Sequence, residues 1–111
     1  MEQKESGKKL EESSDRLILN LRMPVEYQGT QIKQLDLRGL RDMNGRELNL
    51  VYDLYASQGG GGAILQETTL LFSQLVASRV CGYPLEAIME MKARDSVSLK
   101  NRVYSFFFGM E

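Results

Sequence analysis

Histidine is absent from this 111-residue chain. Its absence excludes Ser-His-Asp and Cys-His catalysis, His-ligated zinc, His-ligated haem and a histidine pH switch. Cysteine occurs once, at Cys81, so neither an internal disulfide nor a thiolate zinc site can form. Nothing in the cysteine usage marks an oxidising compartment, and a cytoplasmic location is expected. An excess of either charge is missing too. Fourteen Lys and Arg against fifteen Asp and Glu leave a formal net charge of −1, without the concentrated positive field of a general nucleic-acid binder. No apolar run approaches the ~20 residues that cross a bilayer. Met1 and Leu10 are the only large apolar residues in the first sixteen, so no signal-peptide core is expected there. What remains is 42% hydrophobic and 26% charged, the balance of one globular domain rather than of a disordered chain. These exclusions favour a binding or assembly role over an enzyme.

Residues 1–16 mix five acids with four bases. Such a segment buries too little apolar area to offset its ordering entropy and is expected to be a disordered, solvated tail, the other reading being a marginal helix that forms on a partner. From there the pattern turns to β structure. Leu17, Leu19, Leu21, Met23, Val25 and Tyr27 alternate with polar residues, Ile18 excepted, which predicts a strand with one buried face. Pro24 has no N–H to donate, so it belongs at a sheet edge or splits the strand. A turn at Gln28-Gly29-Thr30 leads into a second strand. There the apolar parity changes between Ile32 and Leu35, predicting a bulge near Lys33 and Gln34. Residues 17–38 thus read as a β-hairpin.

Helical spacing follows. Asn44 and Glu47 fit a capping box, and Leu48, Val51, Tyr52 and Tyr55 form a stripe widened by Leu50 and Leu54, predicting a helix over about 45–58. Gly59 to Gly62 end it. This run lacks the Lys-Ser/Thr ending of a phosphate loop and the spacing of a dinucleotide fingerprint, so it is read as a flexible hinge. A long helix over 63–81 is expected next, with Leu65, Phe72, Leu75, Val76 and Val80 inward and Ile64, Leu71 and Ala77 beside them. Gly82 suits a helix end and Pro84 the first position of a short helix, 84–91. Asp95 or Ser96 would cap a last helix, 95–108, carrying Leu99, Val103, Phe106 and Phe107. The fold class is α+β: a hairpin followed by three or four helices in one domain, 17–111.

The aromatic residues are unevenly placed. Four of nine, Tyr104, Phe106, Phe107 and Phe108, fall within five positions. Three consecutive Phe side chains span roughly 200° of a helix surface, more than one small core readily covers. Either the helix lies between two layers or at least one Phe faces a partner, and these four residues are the candidate partner-binding set. On that reading, truncating Phe107 and Phe108 together weakens partner binding and leaves thermal stability nearly unchanged. The helices flanking Cys81-Gly82-Tyr83-Pro84 have the outline of a helix-turn-helix, but Glu86 and Glu90 would face phosphates, which argues against DNA reading. The methionines Met89, Met91 and Met110 suit adaptable packing. Cys81 reads as a small buried hydrophobe, and Glu11-Glu12 lie in the tail, where no scaffold positions them. No catalytic, cofactor or metal constellation emerges.

The stretch Met23–Leu40 (MPVEYQGTQIKQLDLRGL) resembles the opening signature of the tail assembly chaperones of contractile-tailed temperate phages, the Mu-like or E-type family. Its elements are Pro24-Val25, Tyr27-Gln28-Gly29, Ile32 and Leu35-Asp36-Leu37-Arg38. The layout beyond is also similar: a helix after the hairpin, a long helix ending near a Gly-x-Pro turn, and Arg94-Asp95 opening the last helix. The resemblance covers about residues 17–108 and departs from the family in the Gly59–Gly62 run and in a linker without proline at 39–44. It marks Pro24, Tyr27, Gly29, Leu35, Leu37 and Arg38 as structural signature residues. It implies a protein of the host bacterial cytoplasm that coats the tape measure protein, helps recruit the tail tube protein and is left out of the mature virion. No cofactor, nucleic acid or membrane enters that role, and self-association is compatible with it. In this family a −1 frameshift near the gene's end often yields a longer product, and the codons of Phe106–Phe108 are a candidate slippery run. Two other classes stay open: a small regulatory adaptor binding one protein through its C-terminal aromatic helix, and a small DNA-binding regulator.

Overall fold

A computed structural model describes residues 15–62 and 65–109, so the expected tail at 1–16 lies almost wholly outside the described residues. Two strands form an antiparallel hairpin, β1 (Ile18–Tyr27) and β2 (Thr30–Asp36). A 3-10 turn at Arg38–Asp42 follows, then α1 (Gly45–Ser57), a second 3-10 turn at Gln66–Thr68, α2 (Leu70–Cys81), α3 (Leu85–Met89) and α4 (Ala93–Phe107). The expected α+β architecture is thus observed, with four α-helices among the described residues.

The hairpin closes through two residues. Gln28 (φ 49°) and Gly29 (φ 81°) both take left-handed backbone, and Tyr27 pairs directly with Thr30. Positive φ at both central positions is the turn whose twist matches that of paired strands. Asn20 pairs with Gln34 and Val25 with Ile32, so Leu21 to Pro24 stand against Lys33 alone. The irregularity therefore lies across from the expected site, on β1 rather than in β2, where Pro24 cannot donate to the ladder. It keeps Val25 inward and turns Met23 out to 53% exposure, against the alternation that placed Met23 in the core.

The core gathers Leu17, Leu19, Val25, Ile32, Leu35 and Leu37 from the hairpin with Leu40 from the 3-10 turn. Val51 and Tyr55 join from α1, Phe72, Leu75, Val76 and Ala77 from α2, Ala87 and Ile88 from α3, and Leu99 and Val103 from α4. Every residue of α2 from Phe72 to Ala77 is buried, which makes α2 the central helix; α1, α3, α4 and the hairpin pack around it. On α1 the capping box forms in full, with Glu47 N–H donating to Asn44 Oδ1 (3.0 Å) and Asn44 N–H to Glu47 Oε1 (3.3 Å). Leu50 and Leu54 do not widen its buried stripe; each is 44% exposed.

Two expected helix starts shift here, and the glycine run differs from its reading. The long helix begins at Leu70 rather than 63, because Thr68 Oγ1 and Thr69 Oγ1 donate to Leu65 O and Gln66 O and hold a 3-10 turn there. Such local bonds compete with continued helix, and Thr69 then caps α2 by accepting from Phe72 N–H. Leu65 consequently leaves the core face and is exposed. Pro84 stands at the N-cap of α3, one place before the expected position. The glycine run is seated rather than a bare hinge: Gly60 N–H donates to Tyr55 O (2.9 Å), and a methyl group on Gly60 would lie 2.6 Å from the Tyr55 ring. Across the run, the Tyr52 hydroxyl donates to Glu67, tying α1 to the second 3-10 turn. No helix among the described residues is long and apolar enough to cross a membrane.

Candidate partner interface

The partner-binding candidates sit on α4, and α4 is placed by the edge of the hairpin. Leu17 O accepts from Leu37 N–H of the returning chain (2.7 Å), so the carbonyls of Arg16 and Ile18 point the other way. An open strand edge is a row of unpaired polar groups. Two side chains of α4, seven residues apart on one helix face, occupy it. The Asp95 carboxylate accepts from the consecutive N–H groups of Arg22 and Met23, each at 3.0 Å. Arg102 Nη1 donates to Arg16 O (2.7 Å) and Ile18 O (3.1 Å). Between them Leu99 is fully buried.

Asp95 is therefore not the expected helix cap. Helix α4 starts at Ala93, and Asp95, only 2% exposed, serves β1. Ser96 is not the cap either: its hydroxyl donates to Met91 O (3.3 Å). The bulge on β1 explains the arrangement, since two successive amides can face one carboxylate only where the regular ladder is broken.

The aromatic end of α4 divides into two pairs. Phe107 meets the buried Phe72 ring edge-on at 5.5 Å between centroids, and Phe106 meets Phe107 edge-on at 5.2 Å. Both are half-buried against the core. Tyr104 and Phe108 pair at 4.7 Å, and Phe108 is 41% exposed. The candidate set is thus split. Phe106 and Phe107 largely complete the protein's own core, while Phe108, backed by Tyr104, faces outward. The expectation that truncating Phe107 leaves stability unchanged does not fit its contact with Phe72. Further outward apolar side chains stand on α1 (Leu50, Leu54), which packs on α2, at Leu65 just before the second 3-10 turn, and at Leu70, the first residue of α2.

The signature residues serve the hairpin. Leu35 and Leu37 are fully buried, and Tyr27 is half-buried beside the Gly29 turn. Asp36 and Arg38 face outward and pair in a fork, Nε to Oδ1 at 2.9 Å and Nη2 to Oδ2 at 2.8 Å. This hydrogen-bonded guanidinium holds the Asp36 carboxyl below its usual range. Pro24 lies exposed in the bulge.

Cys81 is half-buried, its thiol donating to Asp36 O at 3.3 Å. Burial, then the negative charge of Asp36, push its pKa up to about 12, which keeps it protonated and a poor nucleophile. It borders a groove of 590 Å³ lined by Asp36, Arg38, Asp42 and Tyr83 among others, with no activated group. Among the described residues no three His, Cys, Asp or Glu side chains gather as a metal site. Sequence reasoning missed Asp95 and Arg102 as edge partners. The signal was present as their seven-residue spacing around Leu99, but nothing in one sequence says which strand they meet. Comparison with protein-family models, curated proteins and solved structures finds no match to this chain.

Proposed function

We propose that this chain is a phage tail assembly chaperone that binds and solubilises the tape measure protein and helps recruit tail tube subunits during virion morphogenesis. The reading rests on the resemblance of Met23–Leu40 to that family's signature. The observation that supports it most is the outward apolar side chains on two helices that flank α2: Phe108, beside Tyr104, at the end of α4, and Leu50 and Leu54 on α1. A tape measure protein is a long helix with extended apolar faces. Several copies of a small domain with apolar side chains on display mask such a face through avidity, each contact being weak by itself. In this role the protein works in the cytoplasm of the host bacterium and is displaced as the tube polymerises, so it needs no cofactor and leaves no copy in the virion.

Co-expression with a tape measure protein of a contractile-tailed phage, followed by size-exclusion chromatography with light scattering, tests the proposal. Soluble complexes carrying several copies per long chain are expected. A long chain that stays insoluble in its presence would contradict the proposal and favour a single-partner adaptor.

A further inference from the structure

Arg102 is held by only part of its donor set. Both hydrogen bonds it makes to the edge of β1 come from Nη1. A guanidinium carries five N–H groups, so among the described residues the coplanar Nε–H and Nη2–H pair along its other edge is left over. Arg102 lines a groove of 380 Å³ together with Arg16, Ile18 and Asn20. Among the described residues no carboxylate lines it and neither arginine pairs with an acid. Burial, and then the positive charge of Arg16, hold the pKa of Arg102 below the usual arginine value. An incoming anion would relieve the unbalanced charge that contributes to this.

We propose that Arg102, with Arg16 and Asn20 beside it, is a binding site for a carboxylate side chain of a partner polypeptide. A fixed planar fork matches the two coplanar oxygens of a carboxylate, and two bonds form without further ordering of the arginine. A phosphate is instead gathered by donors from several directions, backbone N–H groups prominent among them. Here the Ile18 N–H is already engaged with Asp15 O (3.0 Å). Two arginines are also too few to hold a nucleic-acid backbone. The groove runs beside a strand edge that α4 already occupies, so the partner contributes a side chain rather than an added strand.

The test uses the full chain, isotope-labelled for arginine side-chain NMR, with an acetylated tetraglutamate peptide as probe. Tetraglutamine and inorganic phosphate are added in separate titrations at matched ionic strength. The expected result is a saturable shift of the Arg102 Nε–H signal with tetraglutamate and none with tetraglutamine. In a uniformly nitrogen-15-labelled Arg102→Lys chain, followed through the backbone amides of Ile18 and Asn20, the apparent affinity should be about tenfold weaker or more, the loss of one charge-assisted bond's worth of free energy. Arg16→Gln, at an exposed position, should weaken it while leaving the rest of the spectrum unmoved. Shifts at Arg102 no larger than those at exposed Arg22 and Arg46 would overturn the site. So would phosphate acting at concentrations where tetraglutamate does not. The site does not depend on the chaperone reading: soluble partner complexes with no Arg102 response would remove this inference alone.

Discussion

At the scale of single residues, the exchange of hydrogen bonds at Asp95 decides how the hairpin meets the helices. Its two oxygens accept from two consecutive amides of β1. An asparagine there would accept from one amide and turn an N–H toward the other. Asp95→Asn is therefore expected to lower stability by about 3 kcal/mol, the scale of a lost charge-assisted bond plus a buried unpaired donor. Urea unfolding with an unchanged slope measures it, and a midpoint like that of the parent would show that the carboxylate is dispensable. Cys81 gives a pH-dependent counterpart. Its folded pKa of about 12 lies above the ordinary 9.0, so the folded chain keeps a proton that the unfolded chain releases as pH rises past 9. This stabilising contribution is complete below that pH and is lost as pH climbs toward 12. At pH 8 the same cause makes alkylation by iodoacetamide slow in the folded protein and fast in urea. Equal rates in the two states would contradict it.

At the scale of elements, how much the sequence reveals depends on what fixes each element. The hairpin, the capped α1 and the buried stripe of α4 are set by local rules: period two, a capping box and spacing by three and four. Those rules are visible in Leu17–Tyr27, Asn44–Glu47 and Leu99–Val103. The start of α2 depends instead on competition by the Thr68 and Thr69 hydroxyls just before it, which the spacing of apolar residues does not register, and the carboxylate that accepts the two amides of the bulge lies some seventy residues away in the chain. The same limit divided the aromatic cluster, because only the position of Phe72 decides which Phe is inside. Phe107→Ala is expected to lower stability by about 2–4 kcal/mol, the range for truncating a packed aromatic that is only partly buried. Phe108→Ala should change it by less than about 1 kcal/mol. Thermal unfolding of the two variants separates them, and equal losses would place Phe108 in the core.

At the scale of the molecule, α4 has two duties on separate faces. Asp95, Leu99, Arg102 and Val103 bind it to the hairpin edge and the core, and the Tyr104–Phe108 pair extends its far end outward. A helix fixed this firmly can present Phe108 without having to order it on binding, which preserves affinity. The candidate site was therefore legible as a cluster but not as a surface: the sequence grouped four aromatics, and packing left chiefly one of them, with its tyrosine neighbour, facing outward. The central claim is that this outward pair engages a long helical partner. The most direct measurement is co-expression of that partner with a Phe108→Ser variant whose thermal midpoint has first been shown to match the parent. A folded Phe108→Ser protein that no longer keeps the partner soluble is the expected result. A full yield of multi-copy complexes with Phe108→Ser would contradict it.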